Sequence, residues 1–288
     1  MRVSVIVTSF NYENYIRQTL ESIATQTYKN FEVIIVDDGS KDNSLNIIKE
    51  FTKKYPNFHL YTHENNQNKG LVESLKLGIS KVQTEYIAFL ESDDYWSTNY
   101  LQEKIDYIKK HPETVILIND IQTFGSDVAD IGIVEMRKIH TKEEYKKRGY
   151  YNFIASNVIA TFSIVFIKTD ILKDLNFDTP IAPWLDWWLF SQVAVQYPIE
   201  FIDKKLTFWN RHDGSYITKR TDKNAEKIFH KKRNLFLLKK YPKLYYKYFL
   251  LILFKNFLKF IFSIKNSSDR QRKIITILGW EFLIKKSN

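Results

Sequence analysis

Residues 3–44 read VSVIVTSFNYENYIRQTLESIATQTYKNFEVIIVDDGSKDNS. Val3–Val7 is a short apolar run of strand character, and Glu32–Val36 is a second. Between them Ile16, Leu20, Ile23 and Ala24 fall on one helical face. The alternation continues outward. Phe58–Tyr61 and Tyr86–Leu90 read as strands, while Ile47, Ile48, Phe51 and Tyr55, then Leu71, Leu75, Ile79 and Val82, mark two more helices. This order predicts an α/β fold, with a mostly parallel central sheet flanked by helices on both faces. A further helix is expected over Tyr100–Lys110, with Leu101, Ile105 and Ile108 inward, stopping ahead of Pro112. Val115–Ile118 and Thr161–Ile167 read as later strands. Asp127–Tyr151 is polar and irregular, a mobile loop or a short helix near a substrate.

In open parallel sheets, ligands bind beyond the carboxyl ends of the strands. Here those ends carry Thr8-Ser9-Phe10-Asn11, Asp37-Asp38-Gly39-Ser40 and Glu91-Ser92-Asp93-Asp94. The last cluster packs three carboxylates into four residues. Such anions repel one another and raise one another's pKa. A hard divalent cation, Mg²⁺ or Mn²⁺, relieves that repulsion, and such an ion completes its shell with substrate phosphates. Neither G-x-G-x-x-G nor G-x-x-x-x-G-K-[ST] occurs in the chain, so a phosphate cradle of backbone amides is not expected.

These strand-end loops, together with NKGLVESLKLGISKVQTEYIAFLESDDYW at 68–96, resemble the family 2 inverting glycosyltransferases of the GT-A fold. The resemblance is close over roughly residues 1–100, weaker to about 216, and does not reach the tail. It implies a site for a nucleotide-diphosphate sugar. By position, Thr8 and Phe10 would border the base and Asp38 would bond it. Glu91-Ser92-Asp93 stands in the family's D-x-D place, with Asp93 as metal ligand and Glu91 near the ribose. Glu91 departs from the usual Asp by one methylene, and Lys76 stands where Asn is frequent, either meeting the diphosphate or solvated. Asp186, in Ala182-Pro183-Trp184-Leu185-Asp186-Trp187-Trp188, matches the acidic-aromatic motif that carries the catalytic base. Its plainer reading is the cap of a helix over Trp187–Val195. Trp209-Asn210-Arg211-His212 resembles the stretch that closes the donor site, which implies Arg211 on phosphate and His212 on the metal.

The 288 residues carry a net charge of +10, unevenly spread. Residues 219–288 hold 19 Lys/Arg against 4 Asp/Glu, so the remainder is mildly acidic. The expected division is therefore 1–218 as a GT-A-like catalytic domain and 219–288 as a basic, amphipathic helical extension. The donor half would be about 1–100 and the acceptor half about 101–218. Asn234–Ile264 interleaves Phe, Leu and Ile with lysines. Its longest run without a charge, Tyr248–Phe254, is far short of the ~20 residues a span needs. Two readings stand: an interfacial helix on an anionic membrane, or a subdomain packed on the main body. The expected partners are a nucleotide-diphosphate sugar, a glycan or lipid-linked acceptor and an anionic membrane surface, with no nucleic acid. Without cysteine, disulfides and thiolate metal sites are excluded. No signal segment is legible at the start, and the expected place is cytoplasmic, peripheral on the inner face of the cell membrane. Two other functions fit the same acids: a sugar-phosphate nucleotidyltransferase, and a non-catalytic membrane-binding module on a degenerate fold. The first lacks the Gly-rich loop such enzymes carry after strand one.

Overall fold

The computed structural model describes residues 1–125, 159–212, 223–246, 250, 262–266, 272–277 and 280–285. The chain divides into two compact units, Met1–Arg233 and Asn234–Asn288. The division falls later than residue 218, because Phe229 and Arg233 lie on Trp187 and belong with the first unit.

The first unit opens with β1 (Val3–Ser9), α1 (Ile16–Ala24), β2 (Phe31–Asp37), α2 (Ser44–Lys54), β3 (Phe58–Thr62), α3 (Leu71–Ser80) and β4 (Tyr86–Phe89). All pairings among these four strands are parallel, in the order β3-β2-β1-β4. Then come β5 (Tyr95–Trp96), α4 (Tyr100–Lys110), β6 (Ile116–Gly125), β7 (Phe166–Lys168), α5 (Thr169–Lys173), α6 (Leu185–Ala194), β8 (Ile199–Arg211) and α7 (Lys223–Lys240). The sheet continues as β4-β7-β6-β8-β5 and becomes mixed: β7 runs antiparallel to β4 and β6, and β5 antiparallel to β8. The parallel expectation thus holds for the first half. The strand expected over Thr161–Ile167 is shorter, because Phe162–Ile164 winds into a 3₁₀ turn ahead of β7. Asp127–Tyr151 lies outside the described residues.

The strand pattern assigns the faces. Val5, Val7, Val33 and Ile35 pack in one cluster with Ile16 and Leu20 of α1, Ile48 of α2 and Ile105 of α4. Ile6, Ile34 and Val36 point the other way, against α3, where Gly78 brings the helix close to their methyl groups. Period-two alternation therefore serves helices on both faces. Each buried aliphatic side chain contributes roughly 1.5–3 kcal/mol relative to exposure.

The second unit differs from the all-helical expectation. It holds an antiparallel sheet of β9 (Phe262–Asn266), β10 (Arg272–Ile277) and β11 (Trp280–Lys285). The β-branched run Ile274-Ile275-Thr276-Ile277 favours strand over helix, and only two residues separate β10 from β11. Among the described residues, no helix is long and apolar enough to cross a membrane.

One core residue eluded the helical pattern. Lys104 of α4 is fully buried, and its Nζ donates to the carbonyls of Leu117 and Ile164 at 3.1 Å each. Burial drives its pKa well below the ordinary lysine value. A depressed lysine pKa favours the fold most above the unfolded value, and that stability is lost as pH falls through the folded one. Lys104→Met removes the cost of burying a charge. Urea denaturation should find the variant more stable than the parent at pH 7, with the advantage shrinking toward about pH 10.

Candidate functional site

The carboxyl ends of β1, β2 and β4 open into a cavity of about 390 Å³, a size suited to a small ligand. Thr8, Phe10, Asp38, Glu91, Ser92, Asp93 and Asp186 all line it. Seven of the residues singled out from sequence thus meet around one space, though Asp186 is far from the others in the chain.

The loops are shaped by their own polar groups. Asp37 closes the turn after β2 by accepting from the backbone N–H of Ser40 at 3.0 Å and from its hydroxyl at 2.6 Å. Gly39 sits at φ 80°, where a Cβ would strike the carbonyl of Asn66. Asp38 is buried, and its two carboxylate oxygens accept from Lys69 N at 2.7 Å and Gly70 N at 2.9 Å. Besides facing the cavity it therefore ties the loop ahead of α3 to the end of β2. His63 stands behind it, with Nε2 3.4 Å from Asp38 and 2.9 Å from the Ser74 hydroxyl.

The acidic tetrad is bound into the fold from three sides. The Thr19 hydroxyl of α1 donates to the carbonyls of Ser92 and Asp94, at 3.0 and 2.8 Å. The Thr161 hydroxyl bonds the Glu91 carboxylate and lies 3.1 Å from Asp94 Oδ2. Asn210 N, near the end of β8, donates to Asp94 Oδ1 at 2.9 Å. Asp94 is thus a buried fastener between the tetrad and β8. Burial first, and then repulsion by Asp93, push the Glu91 carboxyl up to about 8. Asp186 adds to that shift, which puts it within electrostatic reach of the tetrad. The same causes, burial and then Asp93 and Glu91, raise Asp94 well above the ordinary carboxylate value.

The fastened end of β8 delivers His212. Its Nε2 lies 3.2 Å from Asp93 Oδ2. Neighbouring corners of an octahedral shell with bonds of about 2.1 Å are about 3.0 Å apart, so these two donors already stand at the spacing of one ion's ligands. Among the described residues, no group of three or more His, Asp or Glu side chains is gathered to hold a metal. Arg211 is buried with its guanidinium 4.5 Å over the Trp209 ring, and it is Trp209 that lines the cavity. Lys76 is half-buried, and its Nζ pairs with Glu73 at 2.9 Å.

Asp186 lies in the first turn of α6, one residue inside the helix rather than at its cap. Its Oδ1 accepts from Trp187 N at 2.7 Å. The flanking tryptophans are packed, not free: Phe229 of α7 meets Trp184 at 4.9 Å and Trp187 at 5.4 Å, and Arg233 lies 4.6 Å over Trp187. Sequence reading missed Thr161 and Tyr12, which also line the cavity. Tyr12 was within view, two residues past Phe10; Thr161 had no local signal, because it caps the 3₁₀ turn ahead of β7 and meets the tetrad only through the fold.

A model of glycosyl transferase family 2 matches residues 4–171. The chain belongs to glycosyl transferase family 2. An uncharacterized protein of Mycobacterium tuberculosis is 29% identical over 213 residues, which cover 73% of this chain and 59% of that relative. The chain therefore spans less than two thirds of the relative's length. S. aureus TarS 1–349, solved in complex with UDP, superposes with a TM-score of 0.59 at 22% identity, covering 74% of this chain and 61% of that one. Mannosyltransferase PcManGT from Pyrobaculum calidifontis, solved with GDP-Man and Mn²⁺, superposes with a TM-score of 0.54 at 15% identity, covering 75% and 58%. These likenesses bear on the fold, which is the GT-A-like architecture expected for the family member.

Two outcomes follow from the tetrad. Asp94→Ala leaves Asn210 N without its buried acceptor, and chemical denaturation should register a loss of about 1–3 kcal/mol. A raised carboxyl pKa gives stability that is present below the unfolded value and is lost as pH rises through the folded one. With divalent ions chelated, the melting temperature should therefore fall from about pH 5 to about pH 8, and Glu91→Gln should flatten that fall.

Proposed function

We propose that this chain is a metal-dependent, inverting glycosyltransferase that moves one sugar from a nucleotide-diphosphate donor to a hydroxyl group of a glycan or lipid-linked acceptor. The observation that carries the reading is the meeting of Asp93 and Asp186 at one cavity on the carboxyl edge of the sheet, with His212 Nε2 3.2 Å from Asp93. Thr8, Phe10 and Asp38 line its nucleotide end by family position. A neutral imidazole and a carboxylate together suit Mn²⁺ or Mg²⁺. Asp93 and His212 would hold the ion, which when bound neutralises charge on the leaving diphosphate. Two structural relatives bear on the donor class: TarS was solved with UDP, and PcManGT with GDP-Man and Mn²⁺.

In the proposed step, an Asp186 carboxylate oxygen takes the proton of the acceptor hydroxyl. The acceptor's own oxygen, as it loses that proton, attacks the anomeric carbon from the face opposite the diphosphate. The bond to the diphosphate breaks, and its electron pair leaves with the nucleoside diphosphate. Trp184 and Trp187 hold the helix that presents the base, while Thr161 and Asp94 hold the tetrad in place.

The acceptor side draws on α7. Its inner face buries Phe229 and Arg233 on the tryptophans, while Lys227, Ile228, Lys231 and Lys232 are exposed along the other. A basic stripe with an exposed isoleucine suits an anionic bilayer surface, where a lipid-linked acceptor of surface polysaccharide assembly would be met.

Asp186→Asn should lower transfer by about 10²–10⁴-fold while leaving thermal stabilisation by donor and Mn²⁺ intact. Asp93→Ala should lose that metal-dependent stabilisation across a panel of nucleotide sugars. Release of pyrophosphate rather than nucleoside diphosphate would turn the assignment to a nucleotidyltransferase, and vesicle binding by the parent with no turnover of any nucleotide sugar would point to a non-catalytic module. In flotation with anionic vesicles, the full chain should bind and Lys227→Glu/Lys231→Glu/Lys232→Glu should bind more weakly. Equal binding by the two would remove α7 from the membrane reading.

A further inference from the structure

His212 presents a positioning problem. The ladder between β6 and β8 ends at Arg211, paired with Gly125, so the strand no longer holds the next residue. Yet its imidazole is well packed, with the side chain only 13% exposed. The Tyr15 ring lies stacked on it, with centroids 4.6 Å apart and planes at 26°. The Tyr12 ring meets it edge-on, at 6.2 Å and 77°. Tyr12 and Tyr15 also touch each other, at 5.9 Å. Asp93 Oδ2 lies 3.2 Å from Nε2.

The two tyrosines are themselves anchored by backbone. Tyr12 N donates to the buried Ser44 hydroxyl at 2.8 Å, which ties the turn after β1 to the start of α2. The N–H groups of Tyr15 and Ile16 both donate to the Tyr12 carbonyl at 2.9 Å, which sets the two rings three residues apart on one side of the turn that enters α1. The tyrosines are not core residues, for both are only partly buried and Tyr12 lines the cavity.

We propose that Tyr12 and Tyr15 act as positioning residues, forming an aromatic seat that fixes the His212 imidazole against Asp93 and so sets how tightly the site holds a divalent cation. The inference rests on the reading of Asp93 and His212 as metal ligands. To swing away from Asp93, the imidazole must give up a stacked contact and an edge contact at once. Without the seat, the ligand must be ordered at the moment of binding, and that loss appears as weaker affinity.

The test is Mn²⁺ titration of the full chain, followed by electron paramagnetic resonance with and without UDP. Tyr15→Leu and Tyr12→Leu should weaken Mn²⁺ by about 10–100-fold, the range typical for partners that orient a ligand. Tyr15→Phe keeps the ring and should stay within about twofold of the parent. Melting curves in EDTA separate this from unfolding. If Tyr15→Leu does not fold, Tyr12→Leu decides, since its edge contact is the lesser one. Parental Mn²⁺ affinity in a folded Leu variant would overturn the seat, as would a loss in Tyr15→Phe equal to that in Tyr15→Leu. A separate failure is recognisable: if Asp93→Ala and His212→Ala also bind Mn²⁺ as the parent does, the metal reading itself falls.

Discussion

The crowding of negative charge at Glu91–Asp94 is the constraint on which the rest of this molecule depends. Three carboxylates at one strand end are unstable company unless each is given a different partner. Glu91 takes the Thr161 hydroxyl, Asp94 takes Asn210 N and Thr161, and Asp93 takes His212. Every one of those partners comes from the second half of the sheet. The repulsion that recommends a cation therefore also explains why the parallel half cannot finish the site alone.

That dependence gives the mixed part of the sheet its purpose. The antiparallel insertion of β7 next to β4 brings the 3₁₀ turn Phe162–Ile164 beside the tetrad, where Ser163 Oγ accepts from Glu91 N at 2.9 Å. The long strand β8 then carries Trp209, Asn210 and Arg211 past the same corner. The turn after β1 contributes from the other side through Tyr12 and Tyr15. Three stretches far apart in sequence gather around the tetrad, and none is a glycine-rich phosphate loop. A site built from side chains in this way leaves room for substrate oxygens around a cation, in keeping with family 2 membership and the proposed donor chemistry.

The basic extension illustrates the limits of periodicity. Its charge is plain in the composition, and α7 is helical as expected. Farther on, the chain turns to strands β9, β10 and β11, where the β-branched run Ile274-Ile275-Thr276-Ile277 favours strand over helix. Charge assigned residues 219–233 to the extension, but Phe229 and Arg233 pack on Trp187 beside Asp186, so the first unit runs to Arg233.

The sequence by itself determined the alternating first half, the three polar strand ends and the identity of the acids. Period two and period 3.6 are local properties, and a strand end is marked wherever an apolar run meets polar residues. It also named Asp186 and His212, through motif resemblance rather than spacing. What only the tertiary structure decided is which groups share the charge. Thr161 against Glu91, Asn210 against Asp94 and Tyr15 against His212 are pairings across 70, 116 and nearly two hundred residues, respectively. No local pattern encodes them, because a hydroxyl, an amide or a ring acquires its role only when the sheet order sets it beside a buried carboxylate or imidazole.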